Sequence, residues 1–150
     1  IPFYLGIVRD YYTLRTLYES RAELRSTALR KKLIVVEEVV KNKKVILVDE
    51  AILTGSTLEI VIQKLREANV KEIHVRIPAP PMLFNCDARI IRKKVNLLAN
   101  NYESNDDKNT LELNFAKRFS VESFKLLSIN DFLSCLSNKK NICLKCFKNK

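Results

Sequence analysis

Two adjacent carboxylates, Asp49 and Glu50, follow the apolar run Val45-Ile46-Leu47-Val48, and the chain continues Ala51-Ile52-Leu53-Thr54-Gly55-Ser56-Thr57. A β-branched run ending on two acids, then a short hydroxyl-rich loop, then a helical pattern, places this segment at the carboxyl edge of an open α/β sheet. Ligands bind at that edge. The unpaired N–H groups of the loop and first helical turn, together with the helix dipole, can hold a phosphate. Gly55 lets the backbone approach, and the hydroxyls of Thr54, Ser56 and Thr57 can complete the shell. Asp49 and Glu50, set slightly back, can accept hydrogen bonds from sugar hydroxyls and hold Mg²⁺ through water. On these residues alone, a generic strand-turn-helix with helix-N-terminal acids stays open as an alternative.

The elements that must position this segment follow from periodicity. Val45–Val48 reads as a strand buried on both faces. Thr57–Ala68 carries Leu58, Ile60, Val61 and Leu65 on near-helical spacing, with Asn69 as its C-cap, and Glu72–Ile77 alternates as a second strand. Strand, loop, helix and strand in this order predict a βαβ unit with two parallel strands. Pro78, Pro80 and Pro81 then end the regular part, with irregular structure around Cys86. Residues 99–110 read as a polar, mobile loop. Leu111, Phe115 and Phe119 mark one face of a helix, and Ser128 with Asp131 forms a capping-box-like start for a last helix over Phe132–Leu136. His74, alone inside an alternating strand, reads as a packing or surface residue.

Composition bounds the remainder. The chain has 150 residues, 47% of them hydrophobic, enough for one domain with a real core. Two glycines and four prolines exclude collagen-like, linker and glycine-fingerprint dinucleotide classes. Lys+Arg 27 against Asp+Glu 17 gives a net charge of +10, which favours an anionic partner. No apolar run approaches the roughly 20 residues of a spanning helix, so no membrane is expected. The opening Ile1-Pro2-Phe3-Tyr4-Leu5 has no initiator Met and no signal-peptide pattern, and reads as the middle of a larger fold. Four cysteines, two in Cys143-Leu144-Lys145-Cys146, favour thiols or metal ligands over disulfides and hence a cytoplasmic setting.

The acid pair and hydroxyl loop resemble the phosphoribosyl-pyrophosphate (PRPP) motif of type I phosphoribosyltransferases. The surroundings narrow the likeness. Leu5-Gly6 through Arg15-Thr16, Glu23-Leu24-Arg25, Arg30-Lys31-Lys32-Leu33, Lys64 to Ala68, Lys71 to Ile77, Ala79-Pro80-Pro81, Ser128 and Cys143 to Phe147 are similar to the glutamine PRPP amidotransferase family, the amidophosphoribosyltransferases of purine synthesis. The fold this implies is α/β: a partial type I phosphoribosyltransferase fold, a parallel sheet flanked by helices, with a mostly helical C-terminal extension. Residues 1–85 would be the partial transferase domain with a flexible loop and the phosphate loop, and 86–150 the helical extension with the cysteine motif.

The activity implied is transfer of ammonia from glutamine to C1 of PRPP, giving 5-phosphoribosylamine and pyrophosphate. By position, Asp49 and Glu50 would bind ribose hydroxyls and Mg²⁺, and Ala51, Ile52, Leu53, Thr54, Gly55, Ser56 and Thr57 would cradle the 5′-phosphate. Arg15, with Tyr12 beside it, would lie in a loop closing over the substrate, and Lys32 would approach the pyrophosphate. Some bacterial members hold a [4Fe-4S] cluster by four cysteines, and Cys86, Cys143 and Cys146 occupy three of those places. The fourth ligand would lie upstream of Ile1, and Cys135 has no counterpart. The implied partners are a glutaminase domain or subunit supplying ammonia and, when intact, further copies in a homo-oligomer.

The chain departs from the family pattern at Glu50 in place of the second Asp, at Glu37 where an Arg is expected, and at Ala88-Arg89-Ile90. The missing Arg bears on leaving-group binding. Two other readings stand beside the enzyme: a non-catalytic PRPP-binding regulatory module whose basic surface meets nucleic acid, and an inactive remnant. No helix-turn-helix or aromatic stacking platform is visible, so nucleic acid is not the expected partner.

Overall fold

The computed structural model of the chain describes residues 2–10, 27, 30–85, 95–101, 107–137 and 142–148. Strands β1 (Ile7–Arg9), β2 (Leu33–Val35), β3 (Lys44–Val48), β4 (Glu72–Ile77) and β5 (Ser123–Leu126) alternate with helices α1 (Glu37–Val40), α2 (Ser56–Glu67), α3 (Lys108–Phe119) and α4 (Ile129–Ser134). β1 and β2 form an antiparallel pair, and β3, β4 and β5 form a parallel sheet in that order. The chain divides into two compact units, one of residues 1–45 with 56–73, the other of residues 46–55 with 74–150.

In the first unit, Asp10 N–H bonds the Lys32 carbonyl and Val36 N–H bonds the Gly6 carbonyl, extending the β1–β2 ladder at both ends. Helix α2 forms where the sequence predicts it. Leu58, Val61, Leu65 and Ala68 make a buried stripe at helical spacing, widened by Ile60 and Ile62. It ends because Asn69 takes a left-handed conformation, φ 55°, with its N–H on the Arg66 carbonyl. Arg30 reaches Gln63 and Glu67 on the helix's exposed side, at 2.8 Å from the carboxylate. Both partners are substantially solvated, so this pair contributes at most about 1 kcal/mol.

In the second unit, β5 lies parallel to β4 with His74 opposite Ser123 and Ile77 opposite Leu126. Val75, Ile77, Phe124 and Leu126 are buried and meet a core built on Phe115, Phe119, Leu97 and Leu98. Phe124 takes Phe115 edge-on, centroids 5.2 Å apart, and Phe119 stacked at 5.9 Å. Leu111, Phe115 and Phe119 thus form the apolar helix face that their spacing predicts. His74 also meets its expectation: its Nδ1 lies 2.8 Å from Ser123 Oγ, which Arg76 also contacts at 3.0 Å.

Three expectations change. β3 is not buried on both faces: Ile46 is 45% and Val48 65% exposed. Its burial alternates along the strand, so the face that Lys44, Ile46 and Val48 present stays exposed. The polar stretch 99–110 is not all loop. Leu98–Asn101 is a 3₁₀ turn with Leu98 and Ala99 buried, and α3 begins at Lys108 because Asp107 caps it. The last helix begins at Ile129, earlier than Phe132, since Ser128 Oγ accepts the Asp131 N–H at 3.0 Å.

The Asp107 cap has a pH signature. Its carboxylate accepts the Thr110 N–H at 2.7 Å, which holds its pKa below the ordinary carboxylate value. A depressed folded-state pKa contributes stability that is present above the unfolded value and lost as pH falls through the folded one. Stability should therefore decline on the acid side of about pH 4. Asp107→Asn keeps an acceptor and should flatten part of that decline while preserving the helix start. Urea melts of both proteins across this range check it; parallel acid limbs would remove the assignment.

Candidate functional site

The carboxyl end of β3 carries the segment singled out by its chemistry. Asp49 follows the strand, half-buried, its N–H on the Arg76 carbonyl at 3.3 Å. Its Oδ1 accepts the Glu50 N–H at 2.9 Å, which fixes the carboxylate's orientation, while Glu50 is exposed. Beyond them, buried and exposed residues separate cleanly. Ile52, Gly55 and Leu58 are buried, whereas Thr54, Ser56 and Thr57 are exposed. The loop is anchored by its apolar members and presents its hydroxyl residues at the surface. Ala51 and Leu53 are half-buried, and the Leu53 carbonyl accepts the Leu98 N–H at 2.7 Å.

Gly55 has φ +82°, a conformation L side chains rarely adopt. A Cβ there would lie 2.9 Å from Phe119 Cζ and 3.3 Å from Leu98 Cδ2. Sequence reasoning assigns the glycine to ligand approach. The structure adds a second reason: the missing side chain leaves room for the core residues behind the loop.

The other predicted site residues are distributed as follows. Lys32 is half-buried at the end of a helical turn in the first unit, directly before β2. Tyr12, Arg15 and Cys86 lie outside the described residues. Glu37, at the place where the resemblance expects an Arg, is exposed and pairs with Lys41 at 2.9 Å. That hydrogen bond, and then the carboxylate's charge, raise the Lys41 pKa. An acid already answered by a neighbouring ammonium cannot supply the cation an Arg would bring.

Cys135, Cys143 and Cys146 are thiols and not disulfides. The Cys146 carbonyl accepts the N–H groups of Leu83 and Phe84 at 2.8 and 3.1 Å, so the terminal CxxC turn is tied to the segment that leads into position 86. Among the described residues, no group of three or more His, Cys, Asp or Glu is arranged to hold a metal ion. The described thiols therefore do not make up a four-thiolate donor set. The adjacent carboxylates Asp49 and Glu50 do suit a hard cation that keeps most of its water.

A small open cavity of about 280 Å³ is lined by Asn85, Val95, Asn96, Leu97, Asn100 and Asn101, none of them ionisable. It offers hydrogen bonds but no acid, base or nucleophile. Among the described residues no helix is long and apolar enough to cross a membrane.

Two residues behind the loop, Leu98 and Phe119, were not among the candidates read from the sequence. Phe119 carries a signal as a core residue, but nothing in its spacing says that its ring faces Gly55.

Comparison with known proteins places these observations. Residues 12–96 match the family described as "Phosphoribosyl transferase domain". An amidophosphoribosyltransferase of Archaeoglobus fulgidus is 30% identical over 154 residues, covering 100% of this chain and 32% of that protein. The chloroplastic amidophosphoribosyltransferase 3 of Arabidopsis thaliana is 40% identical over 86 residues, 57% of this chain and 16% of that protein. A solved structure of glutamine PRPP amidotransferase from Bacillus subtilis, complexed with ADP and GMP, superposes with a TM-score of 0.74 at 29% identity, over 100% of this chain and 32% of that one. The chain thus spans about a third or less of the length of these relatives.

Proposed function

The chain belongs to the phosphoribosyltransferase family, and from that premise we propose that it is the PRPP-binding part of an amidophosphoribosyltransferase of purine biosynthesis. The observation that carries the reading is the division of the loop after Asp49 and Glu50 into buried anchors and exposed hydroxyl residues, inside the matched segment. The likeness to amidophosphoribosyltransferases over the whole chain supports the choice of reaction within the family.

In this reading ammonia attacks C1 of the ribose as the C1–O bond to pyrophosphate breaks, the bonding electrons leaving with pyrophosphate. The nitrogen then sheds a proton to give 5-phosphoribosylamine. Positive charge develops on the ribose and negative charge on the leaving group, so the protein's work is positioning and electrostatics. Thr54, Ser56 and Thr57, with the backbone N–H groups around Gly55, hold the 5′-phosphate. Asp49, already oriented by the Glu50 N–H, and Glu50 accept the ribose hydroxyls and hold Mg²⁺. When bound, the ion neutralises charge on the pyrophosphate. Lys32 answers the same group, and Arg15 with Tyr12 closes over the substrate. Ammonia comes from a glutaminase domain or subunit, in an assembly of several copies in the cytoplasm. Cys86, Cys143 and Cys146 would supply three of the four thiolates that a [4Fe-4S] cluster needs, and no step depends on it.

Calorimetric titration with PRPP and Mg²⁺ tests the reading. Saturable, Mg²⁺-dependent binding is expected, and Asp49→Asn with Glu50→Gln should weaken it roughly 10- to 100-fold, the worth of one or two charge-assisted hydrogen bonds. A folded chain that does not bind PRPP would leave the resemblance as ancestry alone.

A further inference from the structure

We infer that Phe119 and Leu98 are positioning residues for the phosphate loop, so that the segment after residue 95 sets the geometry in which the loop meets its ligand. The inference rests on the PRPP reading for its functional consequence, but the placement stands on contacts alone. Leu98 does two things at once. Its N–H holds the Leu53 carbonyl at 2.7 Å, and its side chain would be 3.3 Å from a Cβ on Gly55. Phe119 closes the same spot, its Cζ 2.9 Å from that position.

Neither residue can retreat easily. Leu98 is 1% and Phe119 5% exposed, and Phe119 is stacked on Phe124. A close-packed aromatic cluster is stiff against small displacements. The loop lies against the Phe119 ring at the one residue, Gly55, whose φ of +82° and missing Cβ allow the approach. Its carbonyl at Leu53 is pinned by a bond from outside the loop. A phosphate cradle made of backbone N–H groups depends on where those groups point, and a displacement of about 1 Å can cost up to roughly 100-fold in function. Phe119 and Leu98 touch no reacting atom and act through Gly55 and Leu53.

The test compares substitutions at two neighbouring core positions of the same helix. Phe119→Tyr adds an oxygen on Cζ, the atom that faces Gly55, and leaves the rest of the ring unchanged. Phe119→Leu removes the contact. Phe115→Leu is the control, since Phe115 is also buried and packs on Phe124, but the atoms nearest a Gly55 Cβ belong to Phe119 and Leu98. The readouts are the backbone amide resonances of residues 53–57 in the ligand-free chain and the PRPP affinity with Mg²⁺.

Both Phe119 variants should shift the Gly55 amide and weaken PRPP binding about tenfold, while Phe115→Leu leaves both within about twofold. Unmoved loop amides in the Phe119 variants would overturn the inference, as would equal effects from Phe115→Leu. If the wild-type chain fails to bind PRPP while the loop amides still respond only to Phe119, the functional reading falls and the positioning stands. Should Phe119→Leu not fold, Phe119→Tyr, which keeps the ring and leaves no cavity, carries the comparison.

Discussion

Alanine at position 55 is expected to destabilise the chain by about 3 kcal/mol and to take PRPP binding below detection. Two costs add. The left-handed conformation at φ +82° costs an L residue roughly 1–2 kcal/mol that glycine does not incur. The new Cβ would then lie 2.9 Å from Phe119 Cζ, and forcing a methyl group into a packed core costs typically about 1–3 kcal/mol. If the loop moves to relieve either cost, the N–H groups around Gly55 turn away from the phosphate. A second substitution separates the two: Phe119→Leu in the Gly55→Ala background relieves the clash and leaves the dihedral strain. In urea melts, Gly55→Ala is expected to cost less in the Phe119→Leu background than in the wild-type one, a partial recovery read as a double-mutant cycle. Full recovery would mean the backbone conformation is not strained, and no recovery that the ring is not the obstacle. Gly55→Ala with wild-type stability and PRPP affinity would refute the loop geometry altogether.

The sequence carries α2, β4 and the turn at Gly55 almost to the residue, for a common reason. Each is specified by local signals: the 3.6 period of Leu58, Val61 and Leu65, the alternation from Glu72 to Ile77, and a glycine at a tight point. β3 was read correctly as a strand but not in its surroundings. Val45-Ile46-Leu47-Val48 describes what the run would tolerate, whereas exposure of Ile46 and Val48 depends on whether another layer covers their face of the sheet, which no local pattern encodes. The backing of the loop was invisible for a related reason. Phe119 and Leu98 are ordinary core residues in spacing, and their approach to Gly55 spans more than forty positions of sequence, which no local pattern encodes. Asp107 was readable, since an Asp three residues before Thr110 is a helix-start signal, but the polar run around it concealed the boundary.

Glu112→Ala is expected to cost about 3 kcal/mol, because the residue is a carboxylate placed on the apolar stripe of α3. It stands three and seven positions before Phe115 and Phe119 and is only 2% exposed. Its Oε1 accepts the Leu126 N–H at 2.8 Å and its Oε2 holds Lys125 Nζ at 2.7 Å, with Lys108 Nζ at 3.4 Å. The magnitudes decide which of these bonds matters. Lys125 and Lys108 are 56% and 40% exposed, so their ammonium groups return to water when the acid is removed and little is lost on their side. The Leu126 amide has no such recourse, and a buried donor left without an acceptor costs roughly 1–3 kcal/mol, to which the cavity adds. Glu112→Gln keeps an acceptor for that amide and should cost only about 1 kcal/mol. Glu112→Leu fills the volume but strands the amide and should stay close to the alanine variant, unlike the many buried charges that an apolar residue replaces without loss. Urea midpoints in the order wild type, Gln, then Leu with Ala are the expected outcome. A leucine variant as stable as wild type would show that the charge is tolerated there and not required to hold β5 against α3.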